Sequence, residues 1–252
     1  MKNLAALLLG GLTALGFLPT FATATPISGE FGMGGSATVT SVSIDFFCAL
    51  GGCLGSTGDF TVSPISATGS FAGLGGTTGF IQDISEVGGQ PLNTPFLLGA
   101  WIRFAAAPTL LMDLQFIPLG AATPSTDCVG VIFCTPIIGA LIGTPNNPAG
   151  LAAFNLSPGS ASFEVRGIGY TGSSATGSTP FVGRFSADFP GLSAADIVAL
   201  FSNPGVTNKA YSAAFVVNAG PEPIAVPEPT TISLIGLGLL GFGIMSRRFV
   251  KK

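Results

Sequence analysis

Apolar and polar residues alternate along much of the chain with the two-residue period of half-buried strands. Val42, Ile44 and Phe46 share one face, and Ser41, Ser43 and Asp45 the other. Leu110, Met112, Leu114 and Phe116 stand opposite Leu111, Asp113 and Gln115. Phe181, Phe185 and Phe189 oppose Arg184, Ser186 and Asp188, and Tyr211, Ala213, Phe215 and Val217 line one side of a later stretch. Further candidates lie near residues 60–65, 79–84, 97–104 and 161–170. Clusters of Gly, Pro, Ser and Thr separate them, which predicts about eight to ten strands in a mainly β, sandwich-like or related all-β domain. One short helix interrupts the pattern. Ser193 caps it, Ala195, Ile197, Val198, Leu200 and Phe201 continue it, and Asn203-Pro204-Gly205 ends it.

The two ends follow different rules. Met1-Lys2-Asn3 leads into an uncharged stretch, Leu4 to Leu18, and then Pro19-Thr20-Phe21-Ala22-Thr23-Ala24. A cationic start, a short apolar run and small residues at Ala22 and Ala24 make a secretory signal helix, with cleavage expected after Ala24. Near the other end, Thr230 to Ser246 lacks charge and is followed by Arg247-Arg248-Phe249-Val250-Lys251-Lys252. Ile232 to Met245 gives about 21 Å of helix, and extension to Val250 with snorkelling arginines gives about 28 Å, close to a hydrocarbon core of about 30 Å. The basic stop of Arg247, Arg248, Lys251 and Lys252 belongs in the cytoplasm, which leaves the body of the chain outside. The expected organisation is a signal peptide (1–24), an exported β-rich domain (25–220), a Pro-rich tether (221–229) and a transmembrane anchor with a basic tail (230–252).

Pro227-Glu228-Pro229, the glycine-rich apolar stretch and the terminal basic cluster resemble the PEP-CTERM sorting signal of Gram-negative bacteria. The resemblance covers residues 226–252 and implies recognition by an exosortase, a membrane-embedded protease, at or near Pro227-Glu228-Pro229. It also implies an inner-membrane intermediate facing the periplasm, then a cell-surface or extracellular product, often in organisms that build exopolysaccharide or biofilm matrix. Gly236-Leu237-Gly238-Leu239-Leu240-Gly241 fits a dinucleotide fingerprint in letters only, because no strand precedes it and no acidic residue follows at the required distance.

Charge is sparse, at 8% of residues. Between Thr25 and Val226 the cations are Arg103, Arg166, Arg184 and Lys209, against eleven Asp and Glu. An acidic domain of this kind is not a nucleic-acid partner. Histidine is absent, which removes Ser-His and Cys-His nucleophile pairs and imidazole metal sites. Lys209, after Asn208, reads as a surface lysine at a turn. Asp113 and Glu164, in strands of opposite chain halves, are the candidate carboxylate pair for glycoside hydrolysis, although their alternation also fits the outer face of a sheet. Cys48 with Cys53, and Cys128 with Cys134, are close pairs in a segment that matures in an oxidising compartment, so disulfides are expected, with local pairing closing the shortest loops. Ser-Ala-x-Phe recurs at residues 160–163, 186–189 and 212–215, a spacing that hints at stacked repeats. The intervening segments do not match, however, and one of them holds the helix, which argues against a true solenoid.

These readings favour a non-enzymatic, structural surface or matrix protein without a cofactor. The alternative is a polysaccharide-binding or adhesive module using exposed Trp101, Tyr170 or Tyr211, and a carboxylate-based glycan hydrolase comes third.

Overall fold

The computed structural model describes residues 26–218, apart from 41–42, 54, 86–88, 137–149, 173, 175–176 and 203–205. The predicted signal helix and cleavage residues Ala22 and Ala24 lie outside these residues. So do the Pro227-Glu228-Pro229 motif, the apolar span and the basic stop of Arg247, Arg248, Lys251 and Lys252. Among the described residues, no helix is long and apolar enough to cross a membrane.

The alternating segments become strands: β1 (Gly29–Val39), β2 (Ser43–Phe46), β3 (Thr57–Val62), β4 (Thr78–Gln82), β5 (Ile84–Ser85), β6 (Leu98–Phe104) and β7 (Ala107–Phe116). After them come β8 (Thr123–Ser125), β9 (Cys134–Pro136), β10 (Asn155–Ser157), β11 (Ser160–Thr171), β12 (Thr179–Asp188), helix α1 (Ala194–Ser202) and β13 (Val206–Val217). Strands β1, β3, β4, β6, β7, β11, β12 and β13 each pair antiparallel with the next, and β13 returns to β1. The mainly β expectation is therefore met as an eight-stranded up-and-down barrel. Closure pairs both edges of each of these strands, which removes the aggregation hazard of a free edge.

The predicted helix forms where its cap allows. Ser193 Oγ accepts from the Asp196 amide, and the Asp196 carboxylate accepts from the Ser193 amide and hydroxyl. Those hydrogen bonds hold the Asp196 carboxyl below its usual range. The buried face of α1, Ile197, Val198 and Phe201, covers one mouth of the barrel.

The inward faces are aromatic. Phe31 stacks on Phe215 at 4.8 Å and meets Phe104 edge-on at 5.3 Å. Trp101 lies parallel to Phe181 at 6.4 Å, and its indole donates to the Gln82 carbonyl at 3.0 Å. Phe71, in a short 3-10 turn between β3 and β4, closes one end at 4.7 Å from Phe31. Phe154 and Phe201 close the other, 5.2 Å apart.

Glycines make room for these rings. Phe60 sits directly across from Gly79, Phe181 from Gly167, Phe215 from Gly183 and Tyr211 from Gly35. A Cβ added at Gly79 would meet the Phe60 ring, at Gly183 the Phe215 ring, and at Gly167 both the Phe181 ring and the Asp113 carbonyl. Each ring thus lies over a partner that has no side chain.

Register decides two readings left by the sequence. The recurring Ser-Ala-x-Phe begins β11, ends β12 and falls mid-strand in β13, and these strands run antiparallel, so the recurrence marks no stacked unit. Lys209 is in β13 rather than a turn, with its ammonium 4.5 Å above the Phe189 ring. Its neighbour Asn208 supplies the positive φ of 49° expected of an irregularity there.

Substituting Gly183→Val should lower stability by about 2 kcal/mol in urea unfolding, through overpacking against Phe215. Adding Phe215→Leu to that variant should recover part of the loss, because the two side chains compete for one space. Additive losses in the double variant would contradict the pairing.

Candidate functional site

Strand direction sorts the connections into two ends. At one end are the tight turn after β6, the 63–77 and 172–178 connections, the entry at Pro26 and the exit at Asn218. At the other are the long connections 40–56, 83–97, 117–159 and 189–205, which hold the two disulfides, the short strands β2, β5, β8, β9 and β10, and α1. The chain therefore presents its elaborated loops at the end opposite to the one from which it leaves toward its C-terminal tail. In a rigid barrel, loops at one mouth are where recognition is built.

Both local cysteine pairs form, with Cα separations of 6.1 Å for Cys48–Cys53 and 5.7 Å for Cys128–Cys134. Gly51 and Gly52 turn the first loop at φ of 80° and 86°, conformations that a side chain would strain. Asp59, buried in β3, holds this loop by accepting from the Leu50 amide. Cys48, Cys53 and Asp59 converge within 4.8 Å, but the two sulfurs are bonded to each other. The second loop leaves Val129, Ile132 and Phe133 exposed between its cysteines.

A groove of about 480 Å³ runs between this second loop and the outer wall of β11 and β12. Glu164 and Arg184 are directly opposed across those strands. Arg166 donates to Glu164 at 2.8 Å through Nε and at 2.7 Å through Nη2, whereas Arg184 Nη2 reaches Glu164 only at 3.5 Å and is 80% exposed. Asn155 at the groove edge uses its Oδ1 to accept from the Ala121 and Ala122 amides, at 2.7 and 2.9 Å. Phe133 and Leu119 add apolar surface. Sequence reasoning named Glu164 for another role and Arg166 and Arg184 only as scarce cations, since nothing in their spacing says that β11 and β12 pair in this register.

Several expected roles change. Trp101 is fully buried in the barrel rather than exposed in a groove, and Tyr170 is buried too. Tyr211 packs edge-on against Phe46 at 5.5 Å, with its hydroxyl buried and unpaired among the described residues. None of these three is a stacking platform. Asp113 is buried as well, and accepts from the Tyr170 hydroxyl at 2.8 Å and from the Ala100 amide at 2.6 Å. Ala100 has a φ of 48°, where the pairing of β6 with β7 is irregular, and Gln82 donates to its carbonyl. The carboxylate thus fastens a strained bulge. It lies across from Ile168, four residues along β11 from Glu164, or about 13 Å at strand rise. Asp113 and Glu164 are not brought together.

Burial, together with the hydrogen bond to Asp113 and its charge, pushes the Tyr170 phenol up to about 12. Burial also raises Tyr211, with the nearby Asp59 charge adding to it. Folded values above the unfolded one mean that this stabilisation is complete below pH about 10 and is lost as the pH rises through the folded values.

Residues 225–248 match the PEP-CTERM protein-sorting motif. The chain therefore carries the signal of an exported protein that is anchored in the membrane through its C-terminus and processed by exosortase. No curated protein and no solved structure matches the chain significantly.

The chain contains two tyrosines, so their titration is readable without substitutions. Ultraviolet tyrosinate absorbance of the native protein should stay low at pH about 10, and both should ionise near that pH in guanidinium. A native midpoint equal to the denatured one would contradict the burial of both phenols.

Proposed function

We propose that the chain is a structural, non-enzymatic protein of the cell surface or extracellular matrix, delivered by the exosortase route. The observation that supports this most is the sorting motif at residues 225–248. In this reading the full-length chain is an intermediate held in the inner membrane, with the barrel on the periplasmic side. Cleavage near Pro227-Glu228-Pro229 then releases the barrel or passes it outward. Both prolines lack a backbone donor and disfavour helix, a character of sequence that suits a protease recognition motif.

The barrel suits that role. Its interior is filled by aromatic side chains rather than left as a ligand chamber, its disulfides are compatible with an oxidising environment, and its long loops sit away from the exit toward the anchor. The outer wall is polar at Glu164, Arg166 and Arg184, unlike the apolar band of a lipid-embedded barrel.

One epitope tag before Pro221 and a second after Lys252 test the route. In cells with active exosortase the first tag should reach the surface or medium on a shortened species, and in cells lacking exosortase both should remain on one inner-membrane species. Retention of both tags on one membrane species in the presence of exosortase would contradict processing.

A further inference from the structure

We propose that the groove between the Cys128–Cys134 loop and strands β11 and β12 binds an acidic sugar chain, with Arg184 and Arg166 holding its carboxylates and Phe133 stacking on a ring face. The proposal deepens the reading of the chain as a surface protein by giving its loop-bearing end a ligand.

Charge complementarity selects the occupant. The exported domain holds eleven acidic residues against four cations, yet two of those cations face this groove with a single carboxylate between them. The groove is thus a locally positive place on an acidic body. The Arg184 guanidinium, 80% exposed and barely in reach of Glu164, keeps most of its donors for a ligand. Arg166 is fixed by Glu164, which accepts from both its Nε and its Nη2 and so orients its remaining donors.

The form of the groove separates a sugar chain from a peptide. Strand β11 is paired with β7, β10 and β12, and β12 with β11 and β13, so these walls offer no strand edge on which an extended peptide could add. What the groove offers instead is side-chain chemistry: two guanidinium groups, the Asn155 amide nitrogen beside an oxygen already engaged by Ala121, Ala122 and Thr135, and the Phe133 ring at 65% exposure. Hydroxyl-rich rings bearing carboxylates match donors and a flat apolar face set side by side. The volume, about 480 Å³, lies within the range of small-ligand sites, enough for a few sugar residues of a longer chain crossing it. The Cys128–Cys134 disulfide keeps the Phe133 wall in place before the ligand arrives.

Calorimetry with the full chain in neutral detergent tests this, using a short uronic-acid oligosaccharide from alginate as the probe. Neutral malto-oligosaccharide and a short poly-glutamate peptide serve as comparisons. The uronate should bind with an affinity that falls as salt rises, and the other two should not bind. Arg184→Ala should weaken binding by about tenfold, the loss of one charge-assisted hydrogen-bonding group. Phe133→Ser should weaken it further, and Arg184→Lys should restore only part. Unchanged near-ultraviolet dichroism from Trp101 would show that the barrel is intact in each variant. Three results would each overturn the proposal: no uronate binding, equal binding of poly-glutamate, or affinity unaffected by the Arg184 and Phe133 substitutions. The surface reading is tested separately by the location of the tagged chain, so either idea can fail without the other.

Discussion

A closed barrel of eight strands encloses a space only wide enough for side chains, and every residue on its inner face has to fit that space together with those across from it. In this protein the fit is made by unequal partners. Phe60, Phe181, Phe215 and Tyr211 each lie across from a glycine, and in each case the ring or hydroxyl occupies the place where a partner's Cβ would stand. Large and absent side chains alternate across the strands, so the interior is filled without overlap. This relieves the usual weakness of glycine in a strand, because the ring covers backbone that would otherwise be bare. It also explains a composition with 37 Gly and 21 Phe that would make little sense for a helical protein.

Filling the interior moves chemistry to the periphery. Among the described residues the barrel centre is packed with Trp101 and Phe215, so recognition falls to the loops at one mouth and to the outer wall. The chain strengthens these places locally. Two disulfides close short loops, Asp59 fastens one of them, and Asp113 fastens the bulge at Ala100. The exit at Asn218 lies at the opposite mouth from these loops.

Much of the wall was legible from the sequence because strand alternation is local. The inward Phe181 and Phe185, the outward Arg184 and Ser186, and the capped helix after Ser193 all follow from near neighbours. Ring closure is not local: the pairing of β13 with β1 joins residues almost two hundred positions apart, and no periodicity specifies it. Irregularity misled in a second way. Asp113 reads as an outward polar position, and it is one, but the bulge at Ala100 and the Tyr170 side chain bury it. Trp101 reads as a scarce exposed aromatic, whereas the irregular pairing of β6 with β7 allows both it and Ile102 to be buried. The groove escaped for the same reason as the barrel: Glu164 and Arg184 are twenty residues apart and meet only through register.

The central claim, that aromatic rings lie over glycines inside a closed barrel, is open to nuclear magnetic resonance of the exported domain. A ring stacked above a glycine shields its α-protons. The account predicts strongly upfield α-proton shifts for Gly79, Gly167 and Gly183, with cross-relaxation from those protons to the rings of Phe60, Phe181 and Phe215 respectively. Unshifted α-protons at these glycines, with no contact to the opposing rings, would contradict it.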